Sequence, residues 1–395
     1  MSISRRGLLS LCAIAAGSRL LSRTLWSAEE PVGRELPFLR NGGGPYRGIA
    51  KTLTGDDLVK ARLTPESWQV EIIGAPALLK RPRKFDDGTA LDYATLLELG
   101  KTHGIKFLKA MQCRNNRCPQ NHAVWEGVPL REVLRLLGDL GNVLRVNYSG
   151  YHDPTNPLSH LHAISASFSQ IMENGPGEPP IFLAYRHNGV EIPQARGGPV
   201  RVIVPWGYGF KSVKSLQRIE LTSDTKPLNT YGGDPDSYVK TMAWPEGTTT
   251  FEAGRPIVVR GAVVCGLSGL KHVEYWLRPD TGMEGILPAG DPAWKSAEWM
   301  PCRIDPPPSN WKRVLPAGVD AKELWGFDPQ TGKPKEWPLR YSLATWSATV
   351  PELKPGKYEL RARAVDLNGF AQPNPRPQQA TGKNAIQCKI ITVTA

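Results

Sequence analysis

The chain has 395 residues, 40% hydrophobic and 22% charged, with 39 glycines, 36 prolines and a formal net charge of +12. That length suits two domains rather than one core, and the composition excludes a disordered chain. No basic run with interleaved aromatics appears, which argues against a nucleic-acid partner.

The first residues read Ser4-Arg5-Arg6-Gly7-Leu8-Leu9, followed by an apolar run to Gly17 and small residues near Ser27-Ala28. A charged start, a short apolar stretch and small residues describe an export signal. The paired arginines ahead of two leucines match the twin-arginine type, which serves folded cargo. Leu8 to Gly17 is too short to span a bilayer as a helix, so no stable membrane span is expected. Residues 1–28 are therefore expected to leave as the signal, placing the protein in the periplasm. Their loss removes four arginines and no acid, lowering the net charge from +12 to about +8. Five cysteines then remain, and an odd number leaves at least one unpaired in an oxidising compartment. No CxxC pair or His-rich cluster has zinc or iron–sulfur spacing.

A Gly-rich entry, Asn41 to Gly48, precedes a strand over Trp68 to Ile73, where Trp68, Val70 and Ile72 alternate onto one face. Leu91 to Leu99 reads as a helix, and Cys113 follows in a loop after the apolar run Ile105 to Ala110. Val128 to Leu137 is expected to be helical, with Pro129 in the first turn and Val133, Leu134 and Leu137 on one face. Strands are expected at Val143 to Tyr148, Ile181 to Tyr185 and Val200 to Val204, giving an α+β layer architecture to about Thr222. His152, His160 and His162 cluster loosely after the first of these and are expected at the surface. Beyond Ser223, strands are expected at Val258 to Cys265, His272 to Leu277, Tyr341 to Trp346, Tyr358 to Val365 and Lys389 to Val393. Strands with turn signals and little helix imply an immunoglobulin-like β-sandwich. The expected domains are 29–225 and 226–395.

The chemistry gathers at Met111-Gln112-Cys113-Arg114-Asn115-Asn116-Arg117. A thiol between guanidiniums favours its thiolate, and a thiolate is a soft ligand for redox-active transition metals. Other motifs follow in order: Phe38-Leu39-Arg40-Asn41; Leu183-Ala184-Tyr185 with Asn188-Gly189; Gly198-Pro199-Val200-Arg201 through Val204-Pro205, Gly209 and Ser212-Val213-Lys214. Last come Ala364-Val365-Asp366, Asn368-Gly369 and Gln372-Pro373. Together they resemble the sulfite oxidase family, molybdenum enzymes in which one loop cysteine ligates the metal.

The resemblance implies a mixed α/β molybdopterin-binding domain followed by a dimerisation domain, and a molybdenum–molybdopterin cofactor. It makes Cys113 the metal ligand and Tyr185 a proton handler beside it, with Arg117 holding an anionic group. Arg40, Asn41, Asn116, Arg201, Lys211, Ser212 and Lys214 become cofactor-binding candidates. Guanidinium suits a phosphate because it binds in bidentate fashion, and glycines at 207 and 209 would let the backbone approach closely. Gly42 stands where the family usually has His or Tyr, and Asn115 where it commonly has Gly. Cys118 replaces a second arginine that helps hold the anionic substrate, which favours a less anionic one.

The chain thus reads as an exported molybdenum oxidoreductase transferring an oxygen atom to or from a small oxyanion or sulfur compound. A separate carrier, expected to be a c-type cytochrome, exchanges its electrons, and a homodimer is expected. The same cofactor could run as a sulfoxide-type reductase, and a silent binding module that kept the fold is the third reading.

Overall fold

Hydrophobic alternation governs the strands of the first half, and helices form only where that period breaks. In the computed structural model the described residues are 39–41, 53–113, 118–119, 121–156, 161–230, 236–280, 282, 291–373 and 385–395. The export signal expected at 1–28 lies outside them.

The sheet that matters most contains β1 (Arg40–Asn41), β4 (Ile105–Met111), β5 (Asn121–Pro129), β8 (Phe182–His187), β9 (Val190–Glu191) and β10 (Arg201–Ile203). Strand β5 is its spine: β4 lies on one edge, while β1 and β8 share the other. A register shift between Glu126 and Gly127 lets β8 pack closely, since a Cβ at Gly127 would fall 2.1 Å from the Leu183 carbonyl oxygen.

A second sheet runs β3 (Leu91–Asp92), β2 (Gln69–Gly74), β11 (Leu216–Thr222), β6 (Arg145–Gly150) and β7 (Ala163–Ser167), with β2 and β11 parallel. Trp68, Val70 and Ile72 are all buried, as their alternation predicts. Four short helices accompany these sheets: α1 (Asp56–Lys60), α2 (Tyr93–His103), α3 (Leu130–Arg135) and α4 (Phe168–Met172). Asp92 caps α2 by accepting from the Thr95 amide at 2.8 Å. The helix expected over Val128–Leu137 begins only at Leu130, because β5 carries its pairing through Pro129. Strand β5 itself was not expected; its polar start, Asn121-His122, hides the pattern.

Beyond residue 240 one sheet runs β12 (Met242–Glu246), β14 (Ile257–Val264), β18 (Leu343–Val350) and β17 (Arg303–Ile304). The other runs β13 (Thr250–Glu252), β20 (Cys388–Thr394), β19 (Gly356–Val365), β15 (His272–Pro279) and β16 (Met300–Pro301), with α5 (Ala293–Ser296) beside it. The two share one core, with Val259, Val263 and Trp346 from the first packing with Val273, Leu360, Ala362 and Ile391 from the second. Strand β13 pairs with β20 in parallel; the other pairs here are antiparallel.

The core of the first half does not stop at residue 226. Met242, Trp244, Ala262, Val264, Tyr341 and Leu343 belong to it. A third cluster joins Leu108 of β4 and Val124 of β5 to Trp311, Leu315, Val319, Leu324, Phe327 and Leu339. Among the described residues no helix is long and apolar enough to cross a membrane.

Candidate active site

Strand β4 delivers Cys113. Met111 and Lys109 lie opposite Asn121 and Ala123 of β5, and directly opposed residues share a face. Cys113 follows two residues beyond the strand as a free, half-buried thiol. The Gln112 side chain donates to the Cys113 carbonyl at 2.8 Å.

The 204–214 segment lies against that end of β4. The Gly209 amide donates to the Gln112 carbonyl at 2.7 Å, and the Lys109 ammonium donates to the carbonyls of Pro205 at 2.5 Å and Gly207 at 3.0 Å. The close approach expected of Gly207 is to Lys211, whose Cδ would stand 2.9 Å from a Cβ there. Gly209 packs on Met111 with ordinary spacing.

Buried cations dominate. Arg201 is 4% exposed and donates to the carbonyls of Arg196 at 2.8 Å and Ser212 at 2.7 Å, with its guanidinium 4.9 Å from the Trp125 ring centre. Lys211 is 1% exposed, donates to the Ser237 carbonyl and is bordered by the rings of Trp206, Phe210 and Tyr238. The Ser212 hydroxyl accepts from the Val204 amide at 3.2 Å. Burial, reinforced by Arg201 and Arg196, pushes Lys214 down to about 7, while Cys113 acts in the opposite sense. That opposition places Lys214 in the field of the thiol. Its side chain crosses Gly197, whose φ of +89° and missing Cβ make the passage possible. His162, expected at the surface, is instead half-buried. Its Nε2 is 2.9 Å from the Phe210 carbonyl oxygen, and burial lowers its proton affinity.

Arg201, Lys211, Ser212 and Lys214 therefore gather around the strand end that bears Cys113. Asn41 sits in β1 opposite Asn121. Asn116, Arg117 and His160 lie outside the described residues.

Two expectations need correction. Arg40 gives both terminal nitrogens to Glu246, at 2.8 and 2.7 Å, and the Trp244 indole donates to the same carboxylate at 2.7 Å. Its bidentate face is thus spent on β12 rather than on a phosphate. Tyr185 turns to the other face of the sheet: Arg201 lies opposite Ala184, and Tyr185, next to Ala184, alternates away from it. The Tyr185 hydroxyl lies against Gly100 of α2 and 3.5 Å from Glu126. Burial raises Tyr185 to about 12, which suits a packing residue.

Two phenols, Tyr208 and Tyr238, lie at the 204–214 segment. Tyr208 is buried, with its hydroxyl accepting from the Lys240 amide at 3.3 Å. The second is Tyr238. Its ring centre is 4.9 Å from that of Trp206, the Val239 amide donates to the Trp206 carbonyl at 2.9 Å, and Gln170 reaches its hydroxyl at 3.4 Å. Sequence reasoning missed it because residues 226–244 read as a domain break. Lys109 carried a usable signal: a lysine on the strand face otherwise formed by Ile105, Phe107 and Met111. His187 is a third omission, buried and 4.4 Å from the Trp125 ring.

One half-buried thiol with buried cations and backbone amides is a donor set that fits an anionic, sulfur-bearing metal cofactor. Among the described residues no group of three or more His, Cys, Asp or Glu could hold a metal. Residues 57–230 match the family described as oxidoreductase molybdopterin binding domain, and this segment is that domain. That domain makes the chain a molybdopterin-binding oxidoreductase with a molybdenum–molybdopterin cofactor.

It is 28% identical over 178 residues to the protein-methionine-sulfoxide reductase catalytic subunit MsrP of Ralstonia nicotianae, covering 45% of this chain and 50% of that protein. It is 31% identical over 176 residues to nitrate reductase [NADH] 1 of Arabidopsis thaliana, covering 39% and 18%. The sulfane dehydrogenase SoxCD structure from Paracoccus pantotrophus shares the fold, with a TM-score of 0.56 over 84% of this chain and 79% of that one, at 16% identity. The chain spans about half, or less, of the length of these curated relatives.

Proposed function

We propose that this chain is an exported reductase that removes the oxygen of a sulfoxide. The relatives named as protein-methionine-sulfoxide reductases carry this reading, because they match across the cofactor-binding domain. Cys118 supports it: a neutral thiol replaces the guanidinium that an oxyanion would want. The balanced reaction takes a sulfoxide, two electrons and two protons to a thioether and water.

Cys113 would supply the thiolate that holds the molybdenum, and the cofactor would supply the two-electron chemistry. Arg201 and Lys214, with Arg117, would hold the anionic end of the cofactor. Tyr238 is the hydroxyl available to pass a proton at the Trp206 rim. A separate c-type cytochrome as electron partner and an immunoglobulin-like 226–395 domain that forms a homodimer complete the proposal. Twin-arginine export to the periplasm, with cleavage of residues 1–28, belongs to it too.

Oxidation of sulfite or a related sulfur compound through the same cofactor is the second reading. Protein from a host that makes molybdopterin decides between them. The proposal expects bound molybdenum, turnover of methionine sulfoxide with a reduced viologen dye, and slow sulfite oxidation with ferricyanide. Sulfite oxidation saturating at micromolar substrate without sulfoxide turnover would reject the reductase. Absence of molybdenum would leave a binding module.

A further inference from the structure

Lys109 is fully buried in β4, four residues before Cys113. A buried ammonium ordinarily has a carboxylate partner. The Lys109 ammonium instead donates to two backbone carbonyls, Pro205 and Gly207, one on each side of Trp206. The charges acting on it, Arg201 and Lys211, are of like sign, and with burial they push it down to about 7. An apolar side chain would satisfy the β4 pattern of Phe107 and Met111 without desolvating a charge. The sequence therefore keeps an ammonium at a position where the strand alone would favour a hydrocarbon.

Its geometry shows what the ammonium does. It spans from the strand that runs into Cys113 to the loop that carries Trp206, Lys211 and Ser212. A second link lies beside it, from the Gly209 amide to the Gln112 carbonyl at 2.7 Å. From the same loop, Lys211 reaches on to the Ser237 carbonyl, next to Tyr238. Strand, loop and the Tyr238 segment are thus linked in series, and Lys109 makes two bonds of the first link.

We propose that Lys109 is a positioning residue that staples the 205–211 loop to the strand carrying Cys113, so that the cofactor cradle is formed before the cofactor arrives. The proposal rests on the reading of Cys113 as the metal ligand, but its first test does not need the metal. Removing the ammonium leaves two buried carbonyls without their donor and frees the loop. The staple acts by hydrogen bonding, so a neutral donor restores part of its effect.

Amide hydrogen exchange on the full-length, cofactor-free protein reads the staple directly. In K109M, the amides of Gly207, Gly209 and Lys211 should exchange at least tenfold faster, while β5 keeps its protection. K109Q, whose shorter carboxamide reaches one carbonyl, should fall between K109M and wild type. Made in a host that synthesises molybdopterin, K109M should retain less molybdenum through gel filtration than wild type. Wild-type exchange of the loop in folded K109M would overturn the proposal. If K109M does not fold, wild-type exchange in K109Q would do the same. Wild-type protein without molybdenum would reject the cofactor reading while leaving the exchange result standing, so the two failures are separable.

Discussion

At the scale of single residues, Cys113 and Tyr238 carry the proposed chemistry. Cys113→Ser exchanges a soft thiolate for a hard hydroxyl. It should lower molybdenum-dependent turnover by orders of magnitude while far-UV circular dichroism and thermal midpoint stay unchanged. Tyr238→Phe removes the hydroxyl at the Trp206 rim and should lower kcat by about 10²-fold. Tyr185→Phe, on the opposite face of the sheet from Arg201, should stay near wild type; the reverse pattern would restore Tyr185 to the site. In the proposed function, Cys118 sets the preference for substrate charge. Cys118→Arg places a cation in the Cys113 loop and should lower the KM for sulfite about tenfold, near 1.4 kcal/mol. An unchanged KM would remove Cys118 from the specificity argument. Cys113 and its motif were legible in the sequence because the chemistry is local. Tyr238 was not, because its place depends on Val239 meeting Trp206, 33 positions away in the chain.

At the scale of elements, the pairing of β5 with β8 buries His187 against Trp125. Burial, then the nearby Arg196 and Arg201, lowers His187 to about 4 from its usual 6.5. The unfolded chain therefore binds more protons than the native one between those values. Stability from a neutral His187 is fully present above pH 6.5 and is lost as pH falls toward 4, up to about 3 kcal/mol in all. Urea unfolding should show roughly 2 kcal/mol less stability at pH 5 than at pH 7 from this group, and His187→Met should abolish that part. An identical pH slope in the variant would show that the histidine does not titrate as its burial implies. Strands β2 and β19 were readable because Trp68, Val70 and Ile72, and Tyr358, Leu360, Ala362 and Ala364, alternate; β14 and β15 were readable as apolar runs between turn signals. Strand β5 was not, since it opens on Asn121 and His122, whose burial comes from contacts outside the strand, such as His122 Nε2 with the Ser342 hydroxyl at 2.8 Å.

At the scale of the whole molecule, a charged contact ties β1 to β12, more than two hundred positions further along the chain. Arg40 and Glu246 are 13% and 22% exposed and joined by two short hydrogen bonds. Partly buried, charge-assisted pairs of this kind contribute about 1.5–3 kcal/mol. A double-mutant cycle with Arg40→Met and Glu246→Gln should return a coupling of that order in thermal or urea unfolding, with molybdenum content unchanged in Arg40→Met. Loss of molybdenum without a stability change would instead return Arg40 to the cofactor.

The sequence alone determined the molybdopterin-binding domain, the cofactor class and the strand-rich second half, because each rests on a short motif or a strand period. The tertiary structure decided which buried cations lie beside the strand end that bears Cys113. It also decided that Arg40 serves β12, that Trp311 and its neighbours pack against Leu108 and Val124, and that Lys109 lies beneath the Trp206 loop. Each of these depends on residues far apart in the chain meeting in a desolvated place. Burial there turns a lysine or arginine from a solvated charge into a directed donor, and no local pattern encodes that meeting.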